Sequence, residues 1–329
     1  MKLAEVKNLL IIRLSSLGDI LLASPLVRSI KKKYPEIKID FILKEEYKEV
    51  LTFNPYIFRV LEYSTNRYEK KLFLSRLDRN KYDMVVDLQN NFRSAEIKKI
   101  INAPSVKFNK STIDKFLLVK FKINMLKKAP QIAVRYAETL DQFQLDGEGL
   151  DLFLPSDIKP ELFEEKILIG FAPGSRHFTK MWPKDNFIEL GNKLNGEGFK
   201  IVLFGGESDI QSCYEISRKI PDSINLCSSN NLYKTAVNMK KCSAIVCNDS
   251  GLMHVSSALN IPVLAFFGST VKEFGFTPYN CRNIVYENTE LGCRPCTHIG
   301  RDKCPQKHFK CMLELTPQTA LEKLKLLLN

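Results

Sequence analysis

The sequence predicts an α/β protein built as two doubly wound, parallel-sheet domains, and three observations carry that prediction. Short apolar runs alternate with longer segments of helical period from one end of the chain to the other. The runs are continuous rather than alternating, as in strands buried on both faces by helical crossovers. At 329 residues the chain is too long for one ordinary core and long enough for two.

In the first half, strands are expected at 9–12, 37–43, 58–61 and 84–88, with helices at 18–33, 44–52, 69–80 and 91–101. Leu9-Leu10-Ile11-Ile12 is the clearest strand, and Ile20, Leu21, Leu22, Leu26, Val27 and Ile30 give the helix after it a buried stripe. The second half repeats the pattern, with strands at 167–172, 200–204, 224–227, 244–246 and 262–267 and helices at 185–195, 208–219, 231–241 and 250–259. Between the halves lies "QLDGEGLDLFLPSDIKPELFEEK", whose Gly, Pro and acids mark a linker. A boundary near 155 divides the chain into domains 1–155 and 156–329. A leucine-rich helix at 317–328 closes the chain and is free to pack back on the first domain.

Composition narrows the function. Hydrophobic residues make up 44% and charged residues 26%, and no apolar run approaches the ~20 residues of a membrane-crossing helix. Arg13 and Asp19 interrupt the first apolar segment, so a signal peptide is not expected and the cytoplasm is. The nine cysteines sit mostly in apolar contexts and read as reduced thiols. Residues 1–150 carry a net charge of +10 and the remainder +2, so the first domain favours an anionic partner. No recognition motif supports nucleic acid, and the absence of Gly-x-Gly-x-x-Gly argues against a dinucleotide oxidoreductase.

In open α/β sheets ligands bind beyond the carboxyl ends of strands, and three strand-to-helix loops stand out there. In "RLSSLGDILLASP", Asp19 follows Gly18 in the first turn of a helix; capping explains many such acids, but this one also faces the mouth of the expected cleft. In "FAPGSRHFTKMWP", Ser175, Arg176 and Lys180 join free amides in an anion site. In "NDSGLMHVSSAL", Asp249 ends a strand and the amides of Ser250, Gly251 and Leu252 open a helix, with His254 one turn on. The spacing matches neither a P-loop nor a nucleophile elbow. An acid in one domain and two anion loops in the other point to a diphosphate compound bound between them.

The blocks "LSSLGDILLASP", "YDMVVDLQNNFRSA", "PGSRHFTKMWP", "NDSGLMHVSSAL" and "CRPCTHIGRDKCPQKHFKCM", in this order, resemble the ADP-heptose lipopolysaccharide heptosyltransferases of glycosyltransferase family 9. That resemblance covers nearly the whole chain. It implies an inverting glycosyltransferase of the GT-B fold, with two Rossmann-like domains facing a central cleft, the acceptor on the first and the nucleotide sugar on the second. Asp19 then matches the general base that takes the proton of the acceptor hydroxyl; ionised and weakly basic at neutral pH, it suffices if proton transfer is late, and burial is one way its pKa could be raised. Ser175, Lys180 and the 250–252 amides would hold the departing diphosphate, Asp249 the sugar hydroxyls or its own loop, and Glu207 the ribose. Gln89, Asn90 and Arg93 would contact the acceptor, with Arg93 suited to a carboxylate or phosphate.

The implied partners are an ADP-sugar donor and a lipid-linked anionic saccharide, ADP-L-glycero-D-manno-heptose and the lipopolysaccharide inner core (Kdo-lipid A or heptosyl-Kdo-lipid A). No cofactor is expected; no Asp-x-Asp pair of the metal-dependent kind occurs, and a monomer at the inner face of the cytoplasmic membrane follows. The segment "STIDKFLLVKFKINMLKKAP" reads either as a basic amphipathic helix on anionic lipid or as a core-packed helix with solvated lysines. Cys293, Cys296, Cys304 and Cys311, interspersed with His298 and His308, read as a structural thiol cluster, with zinc as the alternative.

Overall fold

A computed structural model describes residues 3–162, 166–227 and 231–329; three residues of the expected linker, 163–165, lie outside it. The chain forms two compact units. The first holds the residues up to Thr112 together with Ile132–Phe153, and the second holds Ile113–Gln131 and Leu154–Asn329. A single boundary near 155 therefore omits one excursion, in which the chain leaves the first unit at 113 and returns at 132.

In chain order the first unit contains β1 (Asn8–Ile12), α1 (Leu17–Leu21), α2 (Ser24–Lys33), β2 (Lys38–Lys44), β3 (Arg59–Tyr63), α3 (Arg67–Ser75), β4 (Met84–Asp87), α4 (Phe92–Ile101) and β5 (Ser105–Lys107). The excursion carries α5 (Thr112–Phe121), and α6 (Ile132–Ala137) returns the chain. The strands form one parallel sheet in the order β3-β2-β1-β4-β5. Leu9 to Ile12 are fully buried, as a central parallel strand requires.

The helix expected over 18–33 is two. Pro25 has no N–H for the Leu21 carbonyl, so the helix ends; the Ser24 hydroxyl donates to that carbonyl instead at 2.7 Å, and α2 starts afresh. The helix expected over 44–52 is a 3-10 turn, Glu45–Val50.

The second unit follows with β6 (Leu168–Ala172), α7 (Lys184–Gly196), β7 (Lys200–Leu203), α8 (Ile210–Ser217), β8 (Ile224–Asn225), α9 (Leu232–Met239), β9 (Ala244–Asn248), α10 (Gly251–Ala258), β10 (Val263–Phe267), β11 (Asn283–Glu287), α11 (Lys310–Leu313) and α12 (Pro317–Leu328). Its sheet is parallel throughout, in the order β11-β10-β9-β6-β7-β8. Phe171, Trp182, Phe187 and Phe266 fill the centre of its core, Trp182 stacking on Phe266 at 4.1 Å between centroids. The closing helix buries Ala320, Leu321, Leu324 and Leu327 in this same core.

Strand order locates the places where each sheet can take a ligand. In the first, the chain runs outward from β1 to β2 and β3, then crosses to β4, so the order reverses between β1 and β4. In the second it reverses between β6 and β9. Beyond the carboxyl ends of such strand pairs the loops diverge and leave a crevice.

Candidate active site

In the first unit, the loop after β1 carries Asp19 and the loop after β4 carries Gln89. Ser16 caps α1: Asp19 Oδ2 accepts from the Ser16 amide at 3.0 Å and from its hydroxyl at 2.8 Å. Asp19 Oδ1 pairs with Arg13 Nη2 at 2.5 Å and accepts a longer bond from the Tyr136 hydroxyl at 3.4 Å. The Asp19 side chain keeps 15% of its surface open to solvent, so its carboxylate is anchored yet reachable.

Of the two readings of this acid, weakly basic or raised by burial, the geometry gives the first. Burial acts to raise its pKa, but the Arg13 guanidinium and the Ser16 donors outweigh it and hold the carboxyl below its ordinary value. Burial also pushes the Tyr136 phenol up, keeping it a donor.

Arg13 is itself held, donating from Nη1 to the Leu88 carbonyl at 2.7 Å. Gln89 Oε1 accepts from the Leu14 amide at 2.8 Å and the Ser15 amide at 3.3 Å, so this side chain fixes the loop that bears Asp19. Asn90 takes a left-handed φ of 41° and donates from Nδ2 to the Phe108 carbonyl at 2.9 Å. Both are thus engaged with the protein's own backbone. Arg93 lies over the Phe92 ring at 5.2 Å and is half-buried. Beneath them Asp87, fully buried, accepts from the amides of Gln89 and Asn90, the Ser94 hydroxyl and Lys98 Nζ. Asp87 went unnoticed in the sequence because an acid ending an apolar strand has no local signature of its four partners.

In the second unit, the loops after β6 and β9 meet. Lys180 Nζ pairs with Asp249 Oδ2 at 2.6 Å, and Thr270 donates to the same oxygen at 2.8 Å. Ser175 donates to the Asp249 carbonyl at 3.3 Å. Asn248, fully buried, ties the loops together: its Nδ2 donates to the Pro173 carbonyl at 2.7 Å, and its Oδ1 accepts from the Trp182 amide at 2.9 Å. Ser250 precedes α10 without a side-chain cap, so the Gly251 and Leu252 amides open the helix. At Gly174 a Cβ would come within 2.3 Å of Asp209 Cγ, so a larger residue there would have to displace that carboxylate. Glu207 opens the turn containing Asp209 and is exposed, as is Arg176. His254 is buried within the unit, at 4% exposure.

Arg294 braces these loops from behind. It is buried and donates to the carbonyls of Phe267, Gly268, Asn288 and Thr270, while pairing with Glu287 at 2.7 Å. The cysteine-rich loop is therefore attached to the turn after β10. Among the described residues no group of three or more of its His, Cys, Asp or Glu side chains is placed to hold a metal. Cys293 Sγ lies 3.8 Å from His308 Nε2, and Cys311 sits in the core, its thiol pushed up to about 12 by burial.

The chain superposes on "Structure of E. coli ADP-heptose lps heptosyltransferase II" with a TM-score of 0.74 and 25% identity, covering 98% of each chain. It is thus a glycosyltransferase of the GT-B class, two parallel-sheet α/β units in one chain. More narrowly, it belongs to glycosyltransferase family 9, the heptosyltransferase family, whose model matches residues 72–308. Among the relatives, lipooligosaccharide heptosyltransferase 2 of Haemophilus influenzae is 25% identical over 98% of this chain and 99% of its own. Lipooligosaccharide heptosyltransferase 2 of Campylobacter jejuni is 28% identical over 95% and 96%.

Proposed function

We propose that this chain is an inverting heptosyltransferase that moves heptose from ADP-L-glycero-D-manno-heptose to the lipopolysaccharide inner core, at the inner face of the cytoplasmic membrane and without a divalent metal. The observation that carries the reading is Asp19: an anchored, partly exposed carboxylate at the switch point of the first sheet, in a chain of this family.

The acceptor oxygen attacks the anomeric carbon, the bond from that carbon to the diphosphate oxygen breaks, and ADP departs from the opposite face. Asp19 accepts the hydroxyl proton. Because Arg13 holds it ionised and weakly basic, the transfer is late, after the new C–O bond has made the oxygen acidic. Departing charge falls to Lys180, Ser175 and the open amides of α10, donors that are in place before the reaction starts. Lys180 shares its charge between Asp249 and the phosphates. Gln89 holds the base's loop, and Arg93 remains the candidate cation for the acceptor.

Thermal shift with ADP, UDP and GDP, followed by turnover of the matching sugars on Kdo-lipid A in excess chelator, tests this. ADP at a hundred times its Kd should add about 2.7 kcal/mol of stability. Transfer of heptose should continue in chelator. Selective stabilisation by UDP or GDP would reassign the donor, and loss of turnover in chelator, restored by added metal, would end metal independence.

A further inference from the structure

We infer that the excursion at residues 113–131 is a membrane-docking hairpin whose outer face lies on an anionic lipid surface. The inference deepens the proposed function and rests on it for the choice of a lipid-linked acceptor.

One side of the hairpin is committed. Leu118 and Leu126 are buried with Phe274 of the second unit, flanked by Val271 and Phe276. Lys122 Nζ donates to the carbonyls of Cys293 and Pro295 at 3.0 and 2.7 Å, and Gln131 donates to Thr277 Oγ1 at 2.6 Å. The segment is therefore a fixed part of the second unit.

The other side is apolar, and nothing among the described residues covers it. Ile113, Phe116, Phe121, Ile123 and Met125 are each 50–75% exposed, and the rings of Phe116 and Phe121 meet edge-on at 5.9 Å. Exposed large apolar residues elsewhere among the described residues are scattered, and scattered ones need no explanation; five within thirteen positions do.

Charge selects the occupant. Between 111 and 130 there are five lysines against one acid, Asp114, and Lys120, Lys127 and Lys128 are exposed beside the apolar side chains. Aromatic and aliphatic groups rimmed by lysines fit the boundary between headgroups and acyl chains of a negatively charged leaflet. A sugar acceptor anchored in that leaflet would then be met by an enzyme already at its surface.

Co-sedimentation of the full chain with phosphatidylglycerol and phosphatidylcholine vesicles, without donor or acceptor, tests the hairpin independently of the reaction. At about a factor of five per lysine, K120Q/K127Q/K128Q should weaken binding to phosphatidylglycerol on the order of 100-fold. F116S/F121S should weaken it even in low salt. A control with the same change of charge on exposed lysines elsewhere, K219Q/K240Q/K241Q, should bind as the parent does. All the altered side chains are exposed, so unchanged melting temperatures verify folding. Equal binding by parent and hairpin variants, an equal loss in the control, or no preference for the anionic lipid overturns the inference. So does a dimer that the hairpin variants abolish while vesicle binding is unchanged, which would make a second copy the occupant. Turnover on an acceptor stripped of its acyl chains should be unaffected by the hairpin variants; absence of turnover on every acceptor, with vesicle binding intact, would contradict the proposed function and leave the hairpin standing.

Discussion

Asp19 and Arg13 are six residues apart in sequence and 2.5 Å apart in space, and their pairing sets the pH behaviour of the proposed base. A carboxyl held below its unfolded value contributes stability that is complete above ~4 and is lost as the pH falls through the folded pKa. The acid limb of kcat in the parent should therefore lie below that unfolded value, leaving turnover flat on the acid side at pH 5 and above. Arg13→Gln removes the cation and leaves the burial, so the acid limb should move up and the stability gained above pH 4 should shrink. A pH–rate profile and melting temperatures from pH 3 to 8 read both, and an unmoved limb in the variant would remove Arg13 from this role. The sequence made Asp19 legible because a Gly-Asp pair at a strand-to-helix junction is a local signal. Arg13 stood in the same stretch but read only as an interruption of an apolar run. Tyr136, 117 positions away from Asp19, had no local signal at all.

At the scale of elements, the strand ends decide where side chains meet. The central strands were legible because continuous apolar runs mean burial on both faces. Two of the four edges were not: β5 is Ser-Val-Lys and β11 is half-buried Asn-Ile-Val-Tyr-Glu, neither of which looks like a buried strand. The anion loops were found from their glycines, serines and cations, whereas the turn after β10 that supports them was not. That turn makes a test possible. A Cβ on Gly268 would stand 2.7 Å from the Thr179 carbonyl and 2.8 Å from Met312 Cε, and Thr179 precedes Lys180 in one short turn. Gly268→Ala should cost about 1–3 kcal/mol through overpacking and should weaken ADP by displacing Lys180. Unfolding midpoints and ADP titration measure both effects, and full ADP affinity in a destabilised variant would separate the turn from the site.

Over the whole molecule the proposed function divides the work between the two units. The first holds the proposed base, and the second holds the proposed diphosphate-binding loops. Their sheets were legible as a repeated α/β pattern, while the hairpin exchanged from one half to the other was not, because its ownership depends on packing at Leu118 and Leu126 rather than on periodicity. The division makes the two functions separable. Asp19→Asn keeps the shape of the first loop and removes its proton acceptor, leaving the second unit untouched. Heptose transfer from ADP-heptose to Kdo-lipid A should fall by about 10²–10⁴, while the thermal shift produced by ADP stays that of the parent. Transfer at the parent rate in Asp19→Asn would contradict the account.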